Sequence, residues 1–203
     1  MIIIRDTSIY NAQVKEHPAY QLVEIIDVVP DIKLDIRYAT TNNFTGEIVY
    51  KSPKAFARQP VADALKIIQK ELNKQGLGIV VFDAYRPYSA TVKFFEIYKD
   101  TNFVASPWSG SRHNRGAAVD VSIIDLKTGE EIQMPTAYDD FTEVAHPEYK
   151  NLPANVIKNR DMLINVMQNH GFRVYPHEWW HFDFIGWEVY HLMDIPFDKL
   201  TLN

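Results

Sequence analysis

The residues best suited to chemistry fall in two clusters, and the first lies in the middle of the chain. It spans residues 111–120, SRHNRGAAVD, and contains His113 and Asp120. Asp120 lies among valines that predict a buried strand, where a carboxylate is costly unless it is paired or bound. Metal binding by these two side chains would meet that cost. For this cluster alone, an aspartate capped at a strand edge beside a surface histidine is the simpler alternative.

The second cluster spans residues 177–184, HEWWHFDF, near the end of the chain. Side chains three positions apart in a regular strand point to opposite faces. If Glu178 and His181 serve one site, Glu178 must therefore lie in a loop or bulge and His181 in the strand itself. An aromatic core strand that carries an acid and a histidine by chance is the alternative for this cluster alone.

Taken together, the two clusters supply a complete set of ligands for one catalytic zinc ion. His113, Asp120 and His181 would bind the metal and leave its fourth position open for water. Glu178, beside that water but not on the metal, is then the general base that hydrolysis requires. The sequence contains no cysteine, so thiolate metal sites and disulfides are excluded.

A third candidate for chemistry is the segment 82–87, FDAYRP, which follows an apolar run. Arg86 at the mouth of a strand would stabilise the oxyanion that forms when water attacks a carbonyl. Asp83 would hold the guanidinium through a charge-assisted pair. A surface salt bridge between the two residues is the alternative, and both interpretations remain open at this point.

These motifs together resemble the zinc D-alanyl-D-alanine dipeptidases. The pattern Ser-x-His-x-x-Gly-x-Ala-x-Asp occupies residues 111–120, and Glu-x-x-His occupies residues 178–181. Ahead of them lie LDIRYAT at residues 34–40, NFTG at residues 43–46 and DAYRP at residues 83–87. The two zinc motifs alone would also fit related D,D-carboxypeptidases and cell-wall endopeptidases, whereas the five motifs in this order resemble the dipeptidases.

The resemblance implies hydrolysis of D-Ala-D-Ala by an enzyme with one zinc ion per chain. The segment MPTAYDDF at residues 134–141 corresponds to the part of the family that receives the ammonium group of the substrate, although Pro135 stands where the family usually has glycine. Asp139 is the predicted receiver, with Asp140 as the alternative. The implied roles are zinc binding by His113, Asp120 and His181, catalysis by Glu178 and Arg86, substrate binding by Tyr38, Ser111 and Asp139, and support of Arg86 by Asp83.

Two other functions compete with the dipeptidase. A peptidoglycan D,D-carboxypeptidase or endopeptidase of the same superfamily would need an open cleft and an export signal. A non-catalytic binding module that contains zinc, or no metal, would be expected to have a broken catalytic set. In this chain the three ligands, the base and the arginine are all present.

The helices and strands that must position these residues can also be predicted from the sequence. Their order indicates an α+β fold, with one domain over residues 1–203. Because helices and strands mix without steady alternation, we expect a small, mostly antiparallel sheet flanked by helices, with the zinc site at the sheet. The first third is predicted as strands and loops. The predicted helices run from Pro60 to a stop at Gly76, from a cap at Ser89 to Lys99 with Val92, Phe95 and Tyr98 inward, and from a cap at Asn159 to Gly171. The predicted strands are 22–29, 32–38, 78–82, 117–124, 172–174 and 179–184.

The composition of the chain limits the classes of binding partner that are expected. The 203 residues carry a net charge of −5, which argues against a nucleic-acid partner. No run of about 18 apolar residues predicts a membrane span. The beginning of the sequence does not look like a signal peptide, so a cytoplasmic enzyme is expected if the chain is complete, and a periplasmic one if an export signal was removed. We expect a small dipeptide substrate and no protein partner.

Overall fold

The structure is a computed structural model, and it describes residues 1–200. Helices and strands alternate irregularly along this part of the chain. The strands are β1 (Ile3–Ile4), β2 (Leu22–Glu24), β3 (Lys33–Leu34), β4 (Phe56–Arg58), β5 (Leu77–Asp83), β6 (Ala118–Asp125), β7 (Phe172–Tyr175), β8 (Glu178–Phe184) and β9 (Leu192–Met193). The α-helices are α1 (Thr7–Glu16), α2 (Ile25–Val28), α3 (Gln59–Asn73), α4 (Tyr88–Ile97) and α5 (Ala154–Asn169).

A five-stranded sheet with the order β3-β5-β6-β8-β7 forms the centre of the described residues. Only the pairing of β3 with β5 is parallel; the other three pairings in this sheet are antiparallel. The prediction of an α+β fold built on a small, mostly antiparallel sheet is confirmed. The central strand β6 is buried along almost its whole length, which explains why apolar residues occur on both of its faces, with Val119, Val121 and Ile123 on one and Ala118 and Ile124 on the other.

Helix α3 covers the sheet next to β5. Its apolar residues recur at the helical period, and Val61, Leu65, Ile68 and Leu72 are fully buried. The predicted helix is confirmed, with Pro60 in its first turn. Gly76 follows its end with a φ of +74°, a conformation that glycine adopts without strain.

The helix α4 differs in two respects from its prediction. Ser89 does not cap it through its side chain; Pro87 precedes the helix, and the backbone amide of Ser89 donates to Asp194 Oδ1 at 2.9 Å. The predicted inward face of Val92, Phe95 and Tyr98 is also wrong, because Ala90, Thr91 and Phe94 are the buried residues. On this buried face, the ring of Phe94 lies against the guanidinium of Arg86.

Helix α5 begins at Ala154, so the predicted cap at Asn159 is wrong. Asn159 lies inside the helix, and its side chain donates to the carbonyl of Gln133 at 3.0 Å. The hairpin of β7 and β8 that follows the helix agrees with the prediction.

The first third of the chain is more helical than predicted. Helix α1 was not predicted, because Tyr10 is its only buried residue and no apolar stripe marks it. The predicted strands 22–29 and 32–38 are shortened to β2 and β3, and α2 and a 3-10 turn at Arg37–Ala39 replace the remainder. Runs of isoleucine and valine therefore indicated burial here more reliably than they indicated strands.

Two small sheets hold the turn that precedes β6. Strand β2 pairs with β4, and β1 pairs in parallel with β9. From β4, the backbone amide of Arg58 donates to the carbonyl of Gly116 at 2.9 Å, and its Nε donates to the carbonyl of Arg115 at 2.7 Å. A Cβ atom on Gly116 would lie 2.4 Å from the side chain of Leu22, so glycine is required for this close approach.

None of the helices in residues 1–200 is long and apolar enough to cross a membrane. The prediction of one domain and the prediction of a cytoplasmic location remain predictions. The last three residues of the predicted domain lie outside the described part of the chain.

Candidate active site

Strands β6 and β8 bring three of the predicted site residues together. Asp120 on β6 and His181 on β8 are direct register partners, and His113 lies in a 3-10 turn just before β6. Asp120 Oδ1 lies 3.2 Å from His113 Nε2 and 3.1 Å from His181 Nδ1. The two ring nitrogens are themselves 3.1 Å apart. All three side chains are buried, so their ligand atoms converge on one point below the protein surface.

The hydrogen bonds behind the two imidazoles indicate which nitrogens face this point. His113 Nδ1 lies 2.7 Å from the carbonyl oxygen of Ala84, and His181 Nε2 lies 2.9 Å from Asp183 Oδ1. Because both partners are acceptors, each ring donates outward and turns a lone pair inward. This is the arrangement by which outer residues orient metal-binding histidines.

The inward atoms fit a metal ion. Asp120 Oδ1 is buried and has no hydrogen-bond partner among the described residues. Burial would raise the pKa of Asp120, but the two histidines beside it hold that pKa below its usual range. Two imidazole nitrogens and one carboxylate oxygen that face one another repel unless a cation lies between them, and this donor set is typical of catalytic zinc.

Glu178 lies beside this cluster as the first residue of β8. Tyr175 pairs with Glu178 while Val174 pairs with Phe182, so residues 179–181 form the irregularity that the Glu-x-x-His spacing requires. Glu178 Oε2 lies 3.7 Å from His181 Nδ1. Burial raises the pKa of Glu178 to about 8, although His181 acts in the opposite direction. Such a carboxyl group can take up and release a proton near neutral pH.

Arg86 and Asp83 form a buried pair, so the alternative of a surface salt bridge is wrong. Asp83 Oδ2 accepts hydrogen bonds from Arg86 Nε at 2.9 Å and from Nη2 at 2.7 Å. Its other oxygen accepts from the hydroxyl of Tyr50 at 2.8 Å. The guanidinium also lies 5.3 Å from the ring centre of Tyr38 and 4.8 Å from that of Phe94. Arg86 is therefore held in one orientation at the edge of the site.

Asp139 faces the same cavity from a strained turn. Its Oδ1 accepts from the hydroxyl of Tyr38 at 3.0 Å, and its Oδ2 accepts from the amide of Phe44 at 3.3 Å. With a φ of +63°, it is the only non-glycine residue of the described chain in the left-handed region. Burial raises the pKa of Asp139 to about 7. Asp140 instead accepts from the amide of Thr142 and does not line the cavity.

Ser111 and Asn114 stabilise the turn that carries His113. Ser111 Oγ accepts from the amide of His113 at 3.2 Å. The fully buried side chain of Asn114 accepts from the amide of Ser111 at 2.8 Å and donates to the carbonyl of Arg86 at 2.9 Å. Asn114 therefore connects the turn of His113 to the segment of Arg86.

One cavity of about 200 Å³ connects the predicted residues. Every predicted site residue except Asp83, which lies behind Arg86, lines this cavity. Residues 101–106 form part of its wall, where Asn102 accepts from the hydroxyl of Tyr175 and Phe103 stacks on Phe141. The volume is below the range of roughly 300–1,000 Å³ typical of sites for drug-sized ligands, which indicates a compact ligand.

Three contributors were missed in the sequence. Asp183 supports His181 from two positions further along the strand, and this spacing places both on one face, so a signal existed. Asn114 lies within the first cluster, but nothing in the sequence marked it as the link between the turn of His113 and the segment of Arg86. Tyr138 donates a hydrogen bond from its hydroxyl to Asp120 Oδ2 at 2.8 Å, and no motif indicated this contact.

A metal ion bound by His113, Asp120 and His181 would have a carboxylate, Glu178, and a guanidinium, Arg86, beside it. These groups are the ones that metal-dependent hydrolysis of an amide bond uses. The class of protein that this site defines is the zinc metallopeptidases. A family model described as Peptidase M15, D-Ala-D-Ala dipeptidase, matches residues 18–197. The chain belongs to this family.

Individual relatives agree with the family assignment. The chain is 29% identical to a D-alanyl-D-alanine dipeptidase of Escherichia coli, over 80% of this chain and 84% of the relative. It is 30% identical to an enzyme of the same name from Enterococcus faecium, over 77% of this chain and 87% of the relative. A third, from Enterococcus faecalis, is 28% identical over 87% of this chain and 94% of the relative.

Proposed function

We propose that this chain hydrolyses D-Ala-D-Ala to D-alanine and that His113, Asp120 and His181 hold its zinc ion, one per chain. The observation that carries the proposal is the buried, unpartnered Asp120 Oδ1, which lies within 3.2 Å of two inward-facing imidazole nitrogens. Zinc bound there would polarise the scissile carbonyl and lower the pKa of the attacking water.

Glu178 is the general base in this proposal. It accepts a proton from the attacking water and later delivers that proton to the nitrogen of the departing D-alanine. No described residue donates a hydrogen bond to its carboxylate, so the group is available for this transfer. Burial raises the pKa of Glu178, and a carboxylate with a raised pKa is a stronger base toward the attacking water.

Arg86 stabilises the negative charge that develops on the carbonyl oxygen. Its two hydrogen bonds to Asp83 and its contacts with Tyr38 and Phe94 fix the guanidinium before substrate binds. A donor that is already oriented spends no reorganisation energy when the charge appears, and this is the main source of electrostatic catalysis.

Asp139 receives the ammonium group of the dipeptide. Its carboxylate already accepts hydrogen bonds from the hydroxyl of Tyr38 and the amide of Phe44. Both donors are neutral, so the positive charge of an ammonium group would stabilise the ionised form that burial disfavours. Ser111 contributes a hydroxyl group to the same cavity. Since that hydroxyl accepts from the amide of His113, its own hydrogen is available for a substrate oxygen.

The dipeptidase explains the cavity better than the alternatives do. A carboxypeptidase or endopeptidase acts on a longer chain, whereas this cavity is small, at about 200 Å³, and is lined by Asp139, an acid suited to a free amino group. A non-catalytic binding module would have no use for Glu178, a buried acid beside the proposed metal ligands.

Metal analysis and a hydrolysis assay with His181→Ala test the proposal. We expect the wild type to contain one zinc ion per chain and to release D-alanine from D-Ala-D-Ala, and the variant to do neither. His170→Ala is the matched control, because His170 pairs with Glu71 outside the cavity and its loss should leave both properties intact. Full zinc occupancy in His181→Ala would overturn the ligand assignment.

A further inference from the structure

Tyr138 contacts a proposed zinc ligand directly, although no motif pointed to it. Its hydroxyl donates a 2.8 Å hydrogen bond to Asp120 Oδ2, and both side chains are buried. We infer that Tyr138 is a positioning residue, which holds Asp120 so that a single oxygen, Oδ1, faces the metal. The inference rests on the proposed zinc site.

The two oxygens of Asp120 have different surroundings. Oδ1 lies between the inward nitrogens of His113 and His181 and has no hydrogen bond. Oδ2 has the hydroxyl of Tyr138 as its donor, while the nearest atom of Arg86 is 4.0 Å away. A phenol is a neutral donor, so it fixes the carboxylate without removing the negative charge that the metal needs.

Packing, in addition to the hydrogen bond, holds the hydroxyl of Tyr138 in place. The ring of Tyr138 lies 4.8 Å from the ring of Phe82 and 5.5 Å from that of Trp180, measured between centres. The guanidinium of Arg37 lies 6.0 Å from the ring centre. Replacing Tyr138 with phenylalanine would therefore remove one oxygen atom and leave the ring in position.

Without this donor, Asp120 Oδ2 would have Arg86 as its nearest cation. A carboxylate that turned toward Arg86 would leave the metal, and Arg86 would be drawn away from Asp83. Arg86 Nη2 and Asp120 Oδ2 are 4.0 Å apart, and the neutral hydroxyl of Tyr138 favours this longer distance, with Asp120 toward the metal and Arg86 bonded to Asp83.

The backbone explains how Tyr138 and Asp139 serve two parts of the site from consecutive positions. Asp139 has a φ of +63°, which changes the direction of the chain directly after Tyr138. The hydroxyl of Tyr138 thus reaches Asp120, whereas the carboxylate of Asp139 reaches Tyr38. One turn orients a proposed metal ligand and the proposed ammonium receiver.

The test is the zinc affinity of Tyr138→Phe, measured by competition with a chelator. Loss of an outer partner typically weakens metal binding by about 10- to 100-fold, and we expect a loss in that range. Tyr10→Phe is the matched control, because the buried hydroxyl of Tyr10 accepts from the amide of Leu22 and lines no part of the cavity. Its zinc affinity should stay within about twofold of the wild type, although both variants lose a buried hydrogen bond.

Zinc affinity in Tyr138→Phe within about twofold of the wild type would overturn the inference. If that variant fails to fold, the wild type provides a second measurement. Nuclear magnetic resonance should detect a slowly exchanging hydroxyl proton that is assigned to Tyr138 through its own ring protons and that shifts when zinc is added, and the absence of that assigned signal would equally overturn the inference. A wild type that binds no zinc would instead contradict the proposed function.

Discussion

At the scale of single residues, replacing Glu178 should abolish most turnover without affecting metal binding. It lies 3.7 Å from His181 but is not one of the three converging ligands. Glu178→Gln keeps the size of the side chain and removes the base, so we expect full zinc content and a kcat lowered about 10²- to 10⁴-fold. Metal analysis and steady-state kinetics on the same preparation check this. Loss of zinc in the variant would make Glu178 a ligand.

Arg86 should act mainly on the transition state. Its fixed guanidinium faces a charge that exists only after water has attacked, so Arg86→Ala should lower kcat by about 10²- to 10³-fold. The KM for D-Ala-D-Ala should change much less, because ground-state binding does not use this charge. A change confined to KM would instead identify Arg86 as a substrate anchor.

At the scale of elements, the ionisation of Asp139 in its turn should make the free energy of unfolding depend on pH. The pKa of Asp139 rises from its usual 3.8 to about 7 in the folded chain, mainly through burial. The folded state therefore binds a proton that the unfolded state has released, and stability is lost as pH rises from about 4 to about 7. Above about pH 7, Asp139 is ionised in both the folded and the unfolded state, and stability falls no further through this group.

Asp139→Asn should therefore stabilise the protein at pH 8 but not at pH 4. Asparagine tolerates the left-handed backbone that φ of +63° requires, so the substitution removes the charge without adding strain. Thermal unfolding at the two pH values measures the difference. An equal gain in Tm at both pH values would show that the ionisation of Asp139 does not cause this loss of stability.

Helices whose apolar residues recur at the helical period could be predicted from the sequence, whereas helices without such a pattern could not. Helix α3 has a continuous apolar stripe, whereas α1 buries only Tyr10 and leaves no pattern. Within the site, the two clusters taken together, as a three-ligand set that resembles the family's zinc motifs, were sufficient to group His113, Asp120 and His181. The choice between Asp139 and Asp140 depended on one backbone dihedral, and the contact of Tyr138 depended on the path of an irregular segment, neither of which has a sequence signal.

At the scale of the whole molecule, the cavity should restrict the substrate to a free dipeptide. An N-acetyl group would remove the ammonium that pairs with Asp139, and a hydrogen bond to a charged group contributes roughly 1.5–3 kcal/mol. Because each 1.4 kcal/mol is about tenfold, kcat/KM for D-Ala-D-Ala should exceed that for its N-acetyl form by about 10- to 100-fold. The comparison is made in the wild type and in Asp139→Asn.

The outcomes of this comparison point to different conclusions. Equal hydrolysis of both substrates by the wild type would contradict the dipeptidase and favour a carboxypeptidase. Selectivity that survives Asp139→Asn but is lost in Asp140→Asn would keep the function and move the ammonium receiver by one residue.

The pairing of β1 with β9 bears on how a cell makes this enzyme. It joins Ile3 to Leu192, and the side chain of Leu192 lies 2.7 Å from where a Cβ on Gly110 would be, beside the turn of His113. Contacts between such distant parts of a chain form late, because closing a long loop costs entropy. During translation the nascent chain therefore emerges with this turn unsupported. We therefore expect stable metal binding only after β9 has been made and has paired with β1, and a nascent chain stalled before β9 should be recovered without zinc.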